Sequence, residues 1–113
     1  MTTAERTAEV YYQGPGLATE TWGFTQANFF VALRGRAGKE SAILLNDPAA
    51  RQLASELEIE DTPENRERLA RAVGEAWLPR AAAGGSVESL VTVSVAFLNR
   101  NPELVAAVKR ALA

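Results

Sequence analysis

The sequence predicts an α+β fold: an N-terminal antiparallel β-sheet built from hairpins and covered by three C-terminal α-helices. Three observations point there. Six of the eight aromatic residues (Tyr11, Tyr12, Trp22, Phe24, Phe29, Phe30) lie within the first 30 positions, on both sides of Gly14-Pro15-Gly16, a composition of strands joined by a turn. From residue 47 onward the apolar residues change to a three-and-four spacing, the helical period. Asp47-Pro48, Thr62-Pro63 and Asn101-Pro102 each put a capping side chain before a proline suited to the first helical position. With 113 residues, the expectation is a single domain over 1–113, mainly β over 1–46 and mainly helical over 47–113.

The first strand is expected at Glu9 to Gln13 and the second at Ala18 to Phe24, with Trp22 and Phe24 on one face and Thr21 and Gly23 on the other. Asn28 to Leu33 fits a strand with Phe29, Val31 and Leu33 on one face. It also fits a short helix capped by Thr25 and closed by Gly35. The strand is preferred, because the polar Arg34–Lys39 segment with its glycines separates two apolar runs of strand length, the second being Ser41 to Leu45.

In the first helix Ala50, Leu53, Ala54 and Leu57 form the apolar stripe, and fraying is expected near Glu58. In the second the stripe is Leu69, Ala72, Val73, Ala76 and Trp77, with Trp77 expected against the sheet. Glu64 with Arg68 and Glu67 with Arg71 are spaced as exposed ion pairs, and Pro79 is expected to end the helix. Ala81 to Gly85 reads as a linker. Residues 87–98 are ambiguous: Val91, Val93, Val95 and Phe97 alternate as in a strand, whereas Val87, Leu90, Val91, Val95 and Leu98 fit a helix face capped by Ser86. An additional strand is preferred, on its β-branched content. The last helix buries Leu104, Val108, Ala111 and Leu112, with Glu103 in its first turn and Lys109 and Arg110 in its last, in favourable dipole order.

Composition narrows function mainly by exclusion. Neither histidine nor cysteine is present, which closes zinc and copper sites, Ser-His and Cys-His nucleophile pairs and thiol redox chemistry. A net charge of -2 and a pI near 5.2 disfavour a general nucleic-acid or membrane-surface binder. Charge is uneven along the chain: residues 1–46 are balanced, 47–80 carry -3 and 81–113 carry +1. The polar start, Met1 to Glu9, does not resemble a signal peptide, and the longest apolar stretch, Leu90 to Leu98, is too short to span a bilayer. A cytoplasmic setting is expected.

Three constellations bear on chemistry. Arg34-Gly-Arg-Ala-Gly-Lys-Glu-Ser41 has glycines and a lysine before a hydroxyl, but its spacing departs from a phosphate-binding loop and an apolar run follows it. It reads as a solvated basic turn. Glu56, Glu58, Glu60, Asp61, Glu64 and Glu67 crowd the junction of two helices without a calcium-loop pattern, and read as a solvated acidic face. Tyr11, Tyr12, Trp22 and Phe24, with Arg34, Arg36 and Lys39 nearby, could stack single-stranded nucleic acid, although aromatics at strand spacing are more often core.

No catalytic, metal-binding or cofactor-binding residue is expected, and the chain is read as non-enzymatic. The favoured reading is a small regulatory, accessory or phage-encoded interaction domain that binds a protein partner or itself, with a homodimer expected. Its surfaces would be the exposed edge of the aromatic sheet and the acidic helix junction. The candidate partner-binding residues are Tyr11, Tyr12, Arg34, Arg36 and Lys39. A nucleic-acid contact through the aromatic strands and the basic turn is the alternative. A small-ligand binder or carboxylate-based enzyme is the third class.

Overall fold

The computed structural model describes residues 8–16, 23–33, 35 and 37–112. Three strands come first, β1 (Ala8–Pro15), β2 (Phe24–Leu33) and β3 (Lys39–Asn46). The helices α1 (Asp47–Leu57) and α2 (Pro63–Ala83) follow, then β4 (Leu90–Val93), α3 (Val95–Arg100) and α4 (Pro102–Leu112). This is the expected α+β arrangement of an N-terminal sheet followed by helices. The sheet order is β1-β2-β3-β4. The first three strands form an antiparallel meander, and β4 adds to β3 in parallel after the α1–α2 crossover, as a parallel neighbour requires a long connection. The expected strand over residues 18–24 lies mostly outside the described residues, including Trp22, and Phe24 opens β2.

Period-two alternation fixes which face of the sheet is core. In β2, Thr25, Ala27, Phe29 and Val31 are buried and their neighbours only half-buried. The register carries the same face through Val10 and Tyr12 in β1, Ser41, Ile43 and Leu45 in β3 and Val91 and Val93 in β4. The helices cover it with Leu53 of α1, Leu69, Val73 and Leu78 of α2, Leu98 of α3, and Leu104 and Val108 of α4. α2 approaches most closely at Gly74, where a Cβ would fall 2.2 Å from the Phe29 ring. The hairpin preferred for Asn28–Leu45 is therefore the one formed.

Helix details differ from expectation in physically informative ways. Asp47 does not cap α1: Asn46 holds the cap position without a side-chain hydrogen bond, because the Asp47 carboxylate accepts from Arg66 at 2.9 Å. Thr62 does cap α2, accepting from the Asn65 N–H at 3.1 Å. Pro79 does not end α2, which runs on to Ala83. The exposed ring forfeits one backbone hydrogen bond, while Leu78 and Ala82 on either side of it are buried in the core and hold the last turn in place. Ala81–Ala83 are thus helix, not linker, and the chain turns at Gly84 and at Gly85, whose φ is +80°.

Residues 87–98 combine the two patterns weighed for them. Leu90–Val93 is strand and Val95–Arg100 helix, so Val95 and Phe97 do not continue the alternation. The switch sits at Ser94, whose hydroxyl accepts from the Phe97 N–H at 3.1 Å; Ser94, not Ser86, is the cap. This raises the helix count in the covering layer to four among the described residues. In α4, Ala111 is exposed, not buried. Trp77 is half-buried against the core and meets Phe97 of α3 edge-on, with ring centroids 4.9 Å apart. The expected pairs Glu64–Arg68 and Glu67–Arg71 give way to other contacts. Arg71 pairs with Glu75 at 3.0 Å and Arg68 donates to the Asn65 side chain.

Candidate functional site: the open face of the sheet

The face turned away from the helices is the candidate site. Its rows follow from the strand register: Tyr11, Phe30 and Glu40 lie side by side, then Asn28, Ala42 and Leu90, then Gln26, Leu44 and Thr92. Tyr11 is 50% and Leu90 60% exposed, at opposite edges of the sheet. Between them Phe30 and Leu44 are half-buried. Phe30 is screened on one side by the backbone of Gly38, where a Cβ would fall 2.1 Å from Cζ of the ring.

Polar groups punctuate this apolar surface. A shallow depression of about 470 Å³ crosses it, lined by Gln13, Asn28, Glu40, Ala42 and Ser89 among others. Gln13 reaches it from a bulge where the β1–β2 register slips between Tyr12 and Gly14, since an extra residue re-aims side chains locally. The Gln26 amide donates to the Asn28 side-chain oxygen at 2.8 Å. Ser41, on the covered face, gives its hydroxyl proton to the Glu88 carbonyl at 2.7 Å, tying β3 to the segment before β4. Among the described strand residues the charged groups on the open face are Glu9 and Glu40.

The five partner-binding candidates separate. Tyr11 stands on the open face and donates its hydroxyl to the Glu9 carboxylate. That hydrogen bond and the adjacent negative charge push the phenol above its usual range. Tyr12, one residue on, points to the helix side. Its ring tilts on Phe29 at 5.4 Å and lies under the Arg71 guanidinium at 4.5 Å. Burial raises its pKa and Glu67 adds to the rise, against an opposing effect of Arg71. Tyr11 and Tyr12 therefore cannot form one stacking platform. Lys39 is exposed and donates to the Val87 carbonyl at 2.5 Å, clasping β3 to the loop before β4. Arg34, Arg36 and Trp22 lie outside the described residues.

The acidic junction holds helices together. Arg66 donates to both oxygens of Asp61, at 2.6 and 2.9 Å, and to Asp47 at 2.9 Å, so one guanidinium ties the start of α1 to the approach of α2. The Arg66 hydrogen bonds hold the Asp61 carboxyl below the usual carboxylate range. Among the described residues no group of three or more Asp or Glu is placed to hold a metal ion, and no helix is long and apolar enough to cross a membrane.

No protein-family model, curated protein or solved structure matches the chain. Leu44, Leu90, Phe30 and Glu40 were not among the sequence candidates. For Phe30 the signal was present: placing Phe29, Val31 and Leu33 on one face puts Phe30 on the other. For Leu90 the alternation of Val91 and Val93 gave the face, and only the register of β4 gave its row.

Proposed function

We propose that this chain is a non-enzymatic interaction domain that binds a protein partner through the open face of its sheet, acting as an accessory or regulatory component. The observation that carries the reading is the pairing of an apolar surface that no described helix covers, Tyr11, Phe30, Leu44 and Leu90, with the carboxylates Glu9 and Glu40. Apolar area of this kind is a favourable docking surface, and acidic groups at its margin select a partner with an apolar centre and a basic rim. The same carboxylates would repel phosphate, which weighs against the nucleic-acid alternative. A cytoplasmic setting belongs to the proposal.

Photo-crosslinking in the native cell tests it. A photoreactive side chain at position 44 or 90 should give the same discrete protein adduct, lost when Glu40→Lys inverts the local charge. One at position 106, on the exposed side of α4, should not. Equal labelling from all three positions, or crosslinking to nucleic acid from 44 and 90, would overturn the reading.

A further inference from the structure

The outer edge of β1 carries an inference beyond the face. β1 ends the sheet order, and no described strand lies beyond it, so alternate backbone N–H and C=O groups point away from β2. Its second half is blunted: the register slips at Gln13, Gly14 takes φ +112° and Pro15 has no N–H to offer. The Gly16 N–H turns back to the Gln26 carbonyl at 3.1 Å. Ala8–Tyr12 has none of these guards and only one charge, Glu9.

That five-residue segment is complementary to itself. Residues directly opposite across an antiparallel pair share a face, so a two-fold axis must pass through a residue position and not between two. Centring on Val10 uses all five residues. Ala8 then faces Tyr12 on the helix side, and Glu9 faces Tyr11 on the open side. The Glu9 carboxylate already accepts the hydroxyl of Tyr11 in its own chain, and in the pair an identical donor stands directly across. No residue of like charge is opposite another. Centring on Tyr11 would bring Glu9 onto Gln13, where the bulge spoils the ladder, and centring on Glu9 would leave only three residues in register.

We propose that β1 pairs with β1 of a second copy, antiparallel about a two-fold axis through Val10, joining two four-stranded sheets into one of eight strands. Two-fold pairing is the commonest closed arrangement for identical chains, and it removes the edge from solvent.

Three variants and one control test the pairing and its register. The wild-type chain at about 50 µM should sediment at twice the chain mass, an ordinary concentration for a modest interface. Tyr11→Glu sets two carboxylates opposite each other at both ends of the pair and should weaken the dimer by at least about tenfold, with the far-ultraviolet dichroism unchanged because the side chain is half exposed. In the E9K/Y11E double variant the introduced lysine faces the introduced glutamate of the other copy, and the dimer should return. Because the chain has no cysteine, V10C adds a single thiol that sits on the axis facing itself, within reach of a disulfide. It should oxidise to a covalent dimer, and L90C should not. A monomeric wild type, a dimer indifferent to Tyr11→Glu, no rescue by E9K/Y11E, or no covalent dimer from V10C would overturn the pairing. A monomer would leave the reading of the open face intact, because that reading is tested at positions 44 and 90.

Discussion

Phe29 and Gly74 meet with no room for a methyl group between them. A Cβ at position 74 would lie 2.2 Å from the Phe29 ring and 3.1 Å from Ile43, and both neighbours are fully buried. In an exposed helix, Gly→Ala gains about 1 kcal/mol. Here overpacking, typically about 1 to 3 kcal/mol, decides the sign. Gly74→Ala should lower stability in urea unfolding, and adding Phe29→Leu should recover part of the loss. A stabilised single variant would mean that α2 does not lie this close to the sheet.

Pro79 lies on the solvent side of α2, inside the helix and four residues from its end. Replacing it with alanine should restore a backbone donor and remove the ring clash. Helix-interior proline costs about 3 kcal/mol relative to alanine, partly offset by its stiffening of the unfolded chain. Pro79→Ala should therefore stabilise by about 1 to 2 kcal/mol, read as a higher denaturation midpoint with an unchanged slope. A loss of stability would show that the proline fixes a bend needed by Leu78 and Ala82.

Arg66 is the clasp between α1 and α2. Because its hydrogen bonds hold the Asp61 pKa down, the associated stability is present above the ordinary carboxylate pKa and is lost as pH falls through the lower folded value. Thermal melts from pH 6 to pH 2 should show a smaller acid-induced fall for Arg66→Met than for wild type. At neutral pH this partly exposed network should contribute about 1 kcal/mol. Parallel acid profiles for the two proteins would remove this role.

Trp77 and Phe97 tie α2 to α3 edge to face. A double-mutant cycle with alanine at both positions should give a coupling of about 0.5 to 1.5 kcal/mol, whereas removing the exposed Arg71–Glu75 pair should cost about 0.3 to 0.5 kcal/mol. Equal values would place the tryptophan away from α3.

The tyrosine titration separates the two faces. Both phenols should ionise above their ordinary range, Tyr11 through its hydrogen bond to Glu9 and Tyr12 chiefly through burial. Glu9→Gln should bring Tyr11 down and leave Tyr12 where it was, followed by ultraviolet absorbance or ring carbon shifts. If both move, the two rings share an environment and the alternation of β1 is wrong.

What was legible in the sequence depended on how local its cause was. Alternation in Asn28–Leu33 and Ser41–Leu45, and a threonine followed by proline at 62, are settled within a few residues, and the corresponding elements formed as read. Pro79 departs from its local preference because burial outweighs it, Leu78 and Ala82 carrying α2 past the proline, whereas at Val95 one local preference overrides another, the Ser94 cap turning a β-branched run into helix. Asp47 was misread because Arg66, 19 positions away, claims its carboxylate. The open face was half legible, through the residues opposite the core set in β2. Its Leu90 row required a parallel register that no local pattern encodes.

That parallel register also bears on the order of assembly. The meander β1–β2–β3 closes over short separations, whereas β4 meets β3 only after some 45 intervening positions have folded into two helices. Loop closure over such a span carries a larger entropic penalty than a hairpin does. The β3–β4 ladder and the contacts beside it, the Ala42 N–H on the Ser89 carbonyl and the side chains of Lys39 and Ser41 on the backbone of Val87 and Glu88, should therefore engage late. Mutations in β4 should consequently speed unfolding while leaving the refolding rate nearly untouched. In native-state hydrogen exchange, the amides of β4 and its flanking loop should open together as a unit below the global free energy. Opening of the closing strand would thus free one margin of the open face and draw Val91 and Val93 out of the core with it.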